Sequence, residues 1–337
     1  MRIWFNRGFS LAAIAQAMMA GDPFLEVLVS VGEGQLVRPG PTETIVEPTL
    51  EAAEYFDWVS DQIISRGIDL FVPTHRRKLA LAYQLPCRLH LPCSQDVDNV
   101  LQDKYLFATV IHDKVYHLPT FSVNSSSELK ALLDNMGLQR SAQPCVKPRF
   151  GVNGHGFWQL TNDQRTDHLL DPEARKICSD IYLASLEREE QGGNRIQPLV
   201  GMDFLPGPEI SFDVLADNGR ILKSFSRTKD DTRPRQRLQS AHPLDSFVQE
   251  MVEQFTLHGV VNLQFRKARD GSWKVLEINT RPSGGSVYCD HFGGALLADW
   301  GGILTGRLAP HQIGQPELDI EFEIVSEIRT VRSQIAA

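Results

Sequence analysis

The 337-residue sequence has no apolar run near the ~20 residues that a bilayer-spanning helix needs. Its five cysteines (Cys87, Cys93, Cys145, Cys178 and Cys289) are odd in number and include no CxxC pair. That pattern fits neither a disulfide framework nor a zinc site, and it points to a reduced, cytoplasmic compartment. Positive charge is also scarce. A formal net charge of −8 argues against nucleic acid as a partner. There is no internal repeat, low-complexity tract or heptad pattern. Arg2 and Arg7 ahead of Leu11-Ala12-Ala13-Ile14-Ala15-Gln16-Ala17 loosely mimic a signal peptide. Gln16 interrupts that stretch, and Arg2–Phe5 reads better as an opening strand.

The length exceeds what one compact core usually organises, so two or three domains are expected. Residues 1–98 alternate strand and helix. Strands are expected at Arg2–Phe5, Leu25–Val31, Thr42–Glu47 and Ile68–Val72. Ser10 is placed to cap a helix that runs to Met19 and stops at Gly21. A second helix, Leu50–Arg66, lines Leu50, Ala53, Phe56, Val59 and Ile63 along one face, with Gly67 as its stop. Such alternation predicts a parallel sheet covered on both faces.

Pro86–Asp98 reads as a linker, and a different organisation follows. Helices are expected at Gln102–His112, Ser125–Asn135, within Pro172–Glu190, and at Leu244–Leu257. Strands are expected at Ile196–Phe204, Glu209–Ala216, Ile221–Phe225, Gly259–Arg266 and Trp273–Asn279, the last two joined at Asp270-Gly271. The second part is thus α+β with antiparallel strands.

Three segments carry chemistry. In Val146-Lys147-Pro148-Arg149-Phe150-Gly151-Val152-Asn153-Gly154-His155-Gly156, a lysine at a strand end precedes three glycines. Such a loop can offer an ammonium and close backbone N–H groups to a polyphosphate. It lacks the Gly-Lys-Ser/Thr of a Walker A loop, and its spacing is not a dinucleotide fingerprint. A plain glycine-rich hairpin would read the same. In Trp273-Lys274-Val275-Leu276-Glu277-Ile278-Asn279-Thr280-Arg281, Glu277 and Asn279 project from one face of a strand. Two oxygen donors side by side suit magnesium bridging phosphate oxygens, and Arg281 follows two residues on. Gln264, on the neighbouring strand beside Asn262 and Arg266, would add a third oxygen. A solvated strand face is the bland alternative. In Met202-Asp203-Phe204-Leu205-Pro206-Gly207-Pro208-Glu209-Ile210-Ser211-Phe212-Asp213-Val214, apolar side chains beside an acidic–aromatic step can line an adenine slot. A hairpin without function explains that stretch equally well.

In their order these segments, with Asp103-Lys104 ahead of them, resemble the ATP-grasp superfamily. The likeness is to its carbamoyl-phosphate-synthase-like and biotin-carboxylase-like branch, particularly the stand-alone ligases, and it covers nearly the whole chain. It implies a Rossmann-like domain at 1–98, a central lid subdomain at 99–200 and a C-terminal subdomain at 201–337. It implies that Lys104 and Lys147 contact the α- and β-phosphates while Gly151, Asn153, Gly154 and Gly156 close over the β- and γ-phosphates. Asp203, Phe204 and Leu205 would form the adenine hinge, and Glu209 would bind the ribose. Gln264, Glu277 and Asn279 would hold magnesium, with manganese as a substitute, and Arg281 would steady the transferring phosphoryl group. The chain departs from the family pattern at Asp203, where glutamate is common, at Gln264, where a carboxylate is common, and at His155.

Lys223, Arg227, Lys229, Arg233, Arg235 and Arg237 form a basic segment on an otherwise acidic chain. Arg227, with Lys223 beside it, is the candidate for binding a carboxylate or acyl phosphate; a solvated loop is the alternative. Thr74-His75-Arg76-Arg77-Lys78 follows the fourth strand at the edge where open α/β sheets bind ligands. The resemblance implies an ATP-dependent ligase joining a small carboxylate to an amine, or to a thiol, through an acyl phosphate, with ADP and phosphate released. A kinase-like transferase and a non-catalytic nucleotide-binding subunit are the rival readings. The Arg-Arg-His-Gln-Lys stretch of biotin carboxylase is missing. Homodimers are common among similar proteins.

Overall fold

The computed structural model describes residues 1–136, 143–151, 154–163, 166–229 and 234–325. Counts below refer to these described residues. Asn153 and Arg233 lie outside them.

The first sheet contains β1 (Arg2–Asn6), β2 (Glu26–Gly32), β3 (Glu43–Glu47), β4 (Leu70–Pro73) and β5 (Arg88–Leu89), in the order β3-β2-β1-β4-β5. Every pairing in it is parallel, as strand–helix alternation predicts. Successive residues of β1 serve opposite faces. Trp4 packs with Tyr55, Phe56, Val59 and Ile63 of helix Ala52–Arg66. Ile3 and Phe5 pack with helix Leu11–Ala20 and with Leu296, Leu297 and Trp300 of helix Leu296–Leu304. That second core also takes Leu215, Phe225, Leu238 and Val260 from a sheet far along the chain. The N-terminal unit is therefore fused to the C-terminal unit through a common apolar core.

The second sheet holds β6 (Thr120–Val123), β7 (Pro144–Pro148), β8 (Trp158–Thr161), β9 (Lys176–Cys178) and β10 (Leu199–Asp203), ordered β6-β10-β7-β8-β9. Helices Ser126–Met136 and Ser179–Gln191 cover it. The third sheet holds β11 (Glu209–Asp217), β12 (Arg220–Lys229), β13 (Arg235–Gln239), β14 (Gly259–Lys267), β15 (Trp273–Asn279) and β16 (Asp319–Glu323), ordered β15-β14-β11-β12-β13-β16 and antiparallel throughout. One face is an apolar core in which Phe212, Phe247 and Phe265 meet edge to face, with ring centres 5.6 and 6.0 Å apart. Burying each such ring stabilises the fold by about 1.5–3 kcal/mol. The other face carries the site.

Several local expectations need correction. Ser10 does not cap its helix: it sits at φ 57 and makes no side-chain cap bond. The helix starts at Ala52, later than expected; Ala53 faces solvent, and Tyr55 is buried beside Phe56. Pro86–Asp98 is not a plain linker. It contains β5 and the start of helix Gln95–Gln102, where Ser94 accepts from the N–H of Val97. The helix expected at Gln102–His112 is instead Lys104–Thr109, because Asp103 leaves the helical conformation to cap it. Within Pro172–Glu190, β9 interrupts the helical signal. The strand at Ile221 runs on to Lys229, so the front of the basic segment is sheet rather than loop.

Candidate active site

A cavity of about 860 Å³ opens between the second and third sheets and the turn after β1. Its size is that of a ligand site rather than a packing defect.

The roof comes from β7 and its loop. Lys147 and Gly151 line the cavity with Lys104, Gly154 and His155. Gly151 and Gly154 take φ of 133 and 63, which a side chain would oppose. Lys104 Nζ donates to the Gly151 carbonyl at 2.8 Å, tying the helix start to the loop. Asp103 holds that geometry. Its Oδ1 accepts from the N–H groups of Tyr105 and Leu106 at 3.0 and 3.2 Å, and its Oδ2 accepts from Arg149 Nη2 at 2.6 Å. Burial would raise the Asp103 pKa, but Arg149 and the two amides outweigh it and hold it low. Gly156 does not line the cavity; a Cβ there would meet the Pro148 ring at 2.7 Å, so it closes the turn.

The floor is the polar face of the third sheet. Gln264 pairs across the ladder with Glu277 on one side and Ser211 on the other; Asn262 pairs with Asn279 and Asp213. These rows bring Gln264, Glu277 and Asn279 together as the sequence spacing suggested, with Asn262 beside them. Asn279 Nδ2 donates to Glu277 Oε1 at 3.0 Å, and Gln264 Nε2 donates to Asn262 Oδ1 at 3.3 Å. The side-chain oxygens of Asn279 and Gln264 are acceptors, so with Glu277 the patch is an oxygen-donor set.

Leu118, Cys145, Phe157, Met202, Phe204 and Leu276 give the cavity an apolar lining. Asp203, Phe204 and Leu205 also line the cavity. Phe204 donates its N–H to the Gln143 carbonyl at 2.7 Å, and the Leu205 carbonyl accepts from Arg266 Nε at 2.7 Å. Glu209 is not solitary: it pairs with Lys229 and lies 3.8 Å from Arg266.

The far end is cationic. Burial lowers the pKa of Lys104, as does the charge of Lys147, with Glu277 and Asp103 opposing. Burial lowers that of Arg281 too, with Glu277 opposing and Arg77 adding to the shift. Crowded, poorly hydrated cations of this kind gain from a polyanion. Arg227 is almost fully buried, its side chain 4% exposed. It lies 3.5 Å from Asp213 and donates to Gln236 Oε1 at 2.9 Å and Ser283 Oγ at 3.3 Å. Asp213 in turn accepts at Oδ1 from Asn262, Ser283 and Ser286. The basic segment thus contributes a sheet-bound arginine.

Lys223 is not brought to the cavity. Its ammonium is spent on the Gly294 carbonyl at 2.7 Å and Asp299 at 2.5 Å, a buried strut to the helix at Leu296. Arg77, from the run after β4, is also a strut. It donates to Asp98 at 2.6 Å and to the Thr280 carbonyl at 3.0 Å, fixing the residue before Arg281. Phe9, Gln236, Ser283 and Tyr288 line the cavity without having been singled out. Ser283 follows Arg281 by two residues in Arg281-Pro282-Ser283-Gly284-Gly285, and Phe9 lies in the first turn at a sheet's carboxyl edge, so a positional signal existed for both.

Residues 195–319 match a family described as ATP-grasp in the biosynthetic pathway with Ter operon. No curated protein matches the sequence. Among solved structures the chain is similar to Campylobacter jejuni biotin carboxylase in a beta-gamma-ATP complex, at 13% identity and TM-score 0.64, over 92% of this chain and 72% of that one. It is similar to the biotin carboxylase domain dimer of Hydrogenobacter thermophilus 2-oxoglutarate carboxylase, bound to MgADP, ADP and bicarbonate, at 15% identity and TM-score 0.64, over 93% and 72%. It is also similar to the L-amino acid ligase of Bacillus licheniformis, at 13% identity and TM-score 0.58, over 88% and 72%. No helix among the described residues is long and apolar enough to cross a membrane. Residues 195–319 thus match an ATP-grasp family by sequence, and nearly the whole chain shares the fold of these biotin carboxylase and amino-acid ligase structures.

Proposed function

We propose that the chain is an ATP-dependent carboxylate–amine ligase that forms an acyl phosphate and releases ADP and phosphate. The observation that carries this reading is the convergence, in one cavity, of Lys104 and Lys147, the oxygen patch of Gln264, Glu277 and Asn279, and the arginines Arg227 and Arg281. Nucleotide-bound relatives of the same fold add support.

Lys104, Lys147 and the amides of the glycine loop would hold the phosphates, and the Asp203–Leu205 edge would face the base. Oxygen-only donors suit a hard cation such as magnesium or manganese. Among the described residues no group of three or more His, Cys, Asp and Glu side chains could hold a metal ion. One carboxylate with two amides therefore fits an ion that arrives with nucleotide phosphates. Such an ion would neutralise charge on the β- and γ-phosphates. Arg281 would stabilise the transferring group, and Arg227 would orient the acid.

A carboxylate oxygen attacks the γ-phosphorus, and the bond to the β-bridging oxygen breaks, so ADP leaves with the electron pair. The amine nitrogen then attacks the acyl carbon, phosphate departs with the C–O electrons, and the amine proton is lost. Catalysis would come from positioning and charge neutralisation, with no enzyme nucleophile. We carry forward the subdomain limits 1–98, 99–200 and 201–337, a cytoplasmic location and a homodimer as parts of this reading.

The test is ADP release with pools of carboxylates and amines, followed by mass spectrometry. ADP with an amide of the summed substrates, less water, is expected. A phosphorylated acid accumulating without amide would favour simple phosphoryl transfer, and nucleotide binding without ADP across the pools would sink the ligase assignment.

A further inference from the structure

Phe9 is 51% exposed, yet it lines the cavity. The Arg281 guanidinium carbon stands 5.7 Å from its ring centre. Phe9 occupies the turn between β1 and helix Leu11–Ala20, and that turn is held by a dedicated polar network. Asn6 is fully buried. Its Oδ1 accepts from the N–H groups of Thr74 at 2.7 Å and His75 at 3.0 Å, and its Nδ2 donates to Tyr55 Oη at 2.9 Å and the His75 carbonyl at 2.8 Å. Thr74 Oγ1 donates to the Arg7 carbonyl at 2.6 Å, and Arg7 Nε lies 2.7 Å from the buried Glu47 carboxylate.

Beyond Phe9 the chain enters a left-handed conformation at Ser10, φ 57, which a serine adopts only where its surroundings insist. Those surroundings include the Ser283–Gly285 loop: a Cβ on Gly284 would come 2.9 Å from Ser10 Oγ. The turn is thus wedged between the first sheet and the loop after Arg281, with its aromatic ring left facing the cavity.

Arg281 lies near one part of the ring, and half of the side chain stays open. A ring fixed in this way at a cationic wall matches a ligand that has a carboxylate for the arginines and a flat apolar part for the ring. Offset stacking on phenylalanine rewards planarity beyond simple burial. We propose that Phe9 is the specificity-determining residue for the acid substrate, and that this acid carries a planar apolar substituent, aromatic or conjugated, beside its carboxylate. The proposal rests on the ligase reading for calling the acid a substrate; the binding site itself does not.

The experiment is calorimetry on protein saturated with MgADP, using benzoate, cyclohexanecarboxylate and lactate as probes. Benzoate is expected to bind roughly tenfold more tightly than cyclohexanecarboxylate, and lactate more weakly than both. Phe9→Ala should lose roughly tenfold or more of the benzoate affinity, Phe9→Leu most of the aromatic preference, and Phe9→Trp neither. MgADP affinity should stay the same in all three. Lactate binding most tightly, no binding of any acid, or benzoate affinity untouched by Phe9→Ala would overturn the proposal. So would equal losses for acid and MgADP. ADP release is measured separately. Phe9-dependent binding of acids with no ADP formed would count against the ligase reading and leave the subsite standing.

Discussion

Replacing Gly285 with alanine tests whether Arg227 is held where the site needs it. Gly285 is not in the left-handed region, so alanine meets no backbone penalty. Its Cβ would nevertheless lie 2.3 Å from both Cζ and Nη2 of Arg227 and 2.8 Å from Nε. The guanidinium would have to retreat by the better part of an ångström, and it has no slack. Nη1 is bonded to Gln236 at 2.9 Å and Nη2 to Ser283 at 3.3 Å, while Asp213 Oδ2, buried without a hydrogen-bond partner, lies 3.5 Å away. A hydrogen bond to a charged group contributes about 1.5–3 kcal/mol, and losing one member of a buried ion pair costs about 3–5 kcal/mol. Displacement is less severe than removal, so about 2–4 kcal/mol is expected, or a Tm lower by roughly 3–6 °C. Thermal unfolding followed by tryptophan fluorescence reads the first effect, and acid affinity, expected to fall at least tenfold, reads the second. Gly314→Ala is the control, since nothing lies within 4 Å of its Cβ. If Gly285→Ala melts with the wild type and binds acid equally well, the packing argument for Arg227 is wrong.

Glu277→Gln should cut turnover while keeping part of the ATP affinity, because the patch then lacks its only carboxylate; wild-type turnover at low magnesium would remove Glu277 from the site. Lys147→Ala should weaken nucleotide binding roughly 10- to 100-fold, as expected for losing a charge-assisted contact in a poorly hydrated cavity, and an unchanged MgADP affinity by calorimetry would contradict its assignment. His90 is buried beside His258 and Trp300, and burial, with help from the His258 and Arg77 charges, pushes its pKa down to about 3. The unfolded chain binds this proton near pH 6.5 and the folded chain does not, so stability present above that pH declines as pH falls from 6.5 toward 3. Between pH 7 and pH 5 the loss from this group is about 2 kcal/mol, and a His90→Asn variant should show a correspondingly flatter acid limb in denaturation midpoints. Nucleotide affinity should also fall on the alkaline side earlier than an ordinary lysine would cause, because the lowered Lys104 loses its charge sooner; Lys104→Arg should remove that early limb.

The oxygen patch was legible because a strand has a period of two residues: Glu277 and Asn279 had to share a face, and Asp270-Gly271 had to return that strand beside Gln264. The parallel N-terminal sheet was legible for the same kind of reason, since alternating strands and helices leave few other arrangements. Helix starts were harder, because a cap depends on where the preceding chain is held. Ser10 looked like a cap, but its backbone is committed to the turn that presents Phe9. Asp103 looked like helix interior, but its carboxylate serves the next helix and Arg149. The charges misled most. Lys223 and Arg227 share a strand and a residue class, yet one is a strut to Asp299 and the other lines the cavity.

The sequence by itself determined the order of motifs, the parallel first sheet, the antiparallel hairpin of the third sheet and the pairs of side chains that a single strand or hairpin brings together. These follow from local periodicity and turn chemistry, which act over a few residues. It did not determine the parallel β8–β9 pair that makes the second sheet mixed. Tertiary structure alone decided which cations face the cavity, that Gly285 must be glycine to clear Arg227, and that Phe9 meets a loop more than 270 positions away. Those choices depend on how the faces of separate sheets come together around the core they have in common. No period in the sequence encodes that, because buried volume, rather than chain neighbourhood, sets the contact.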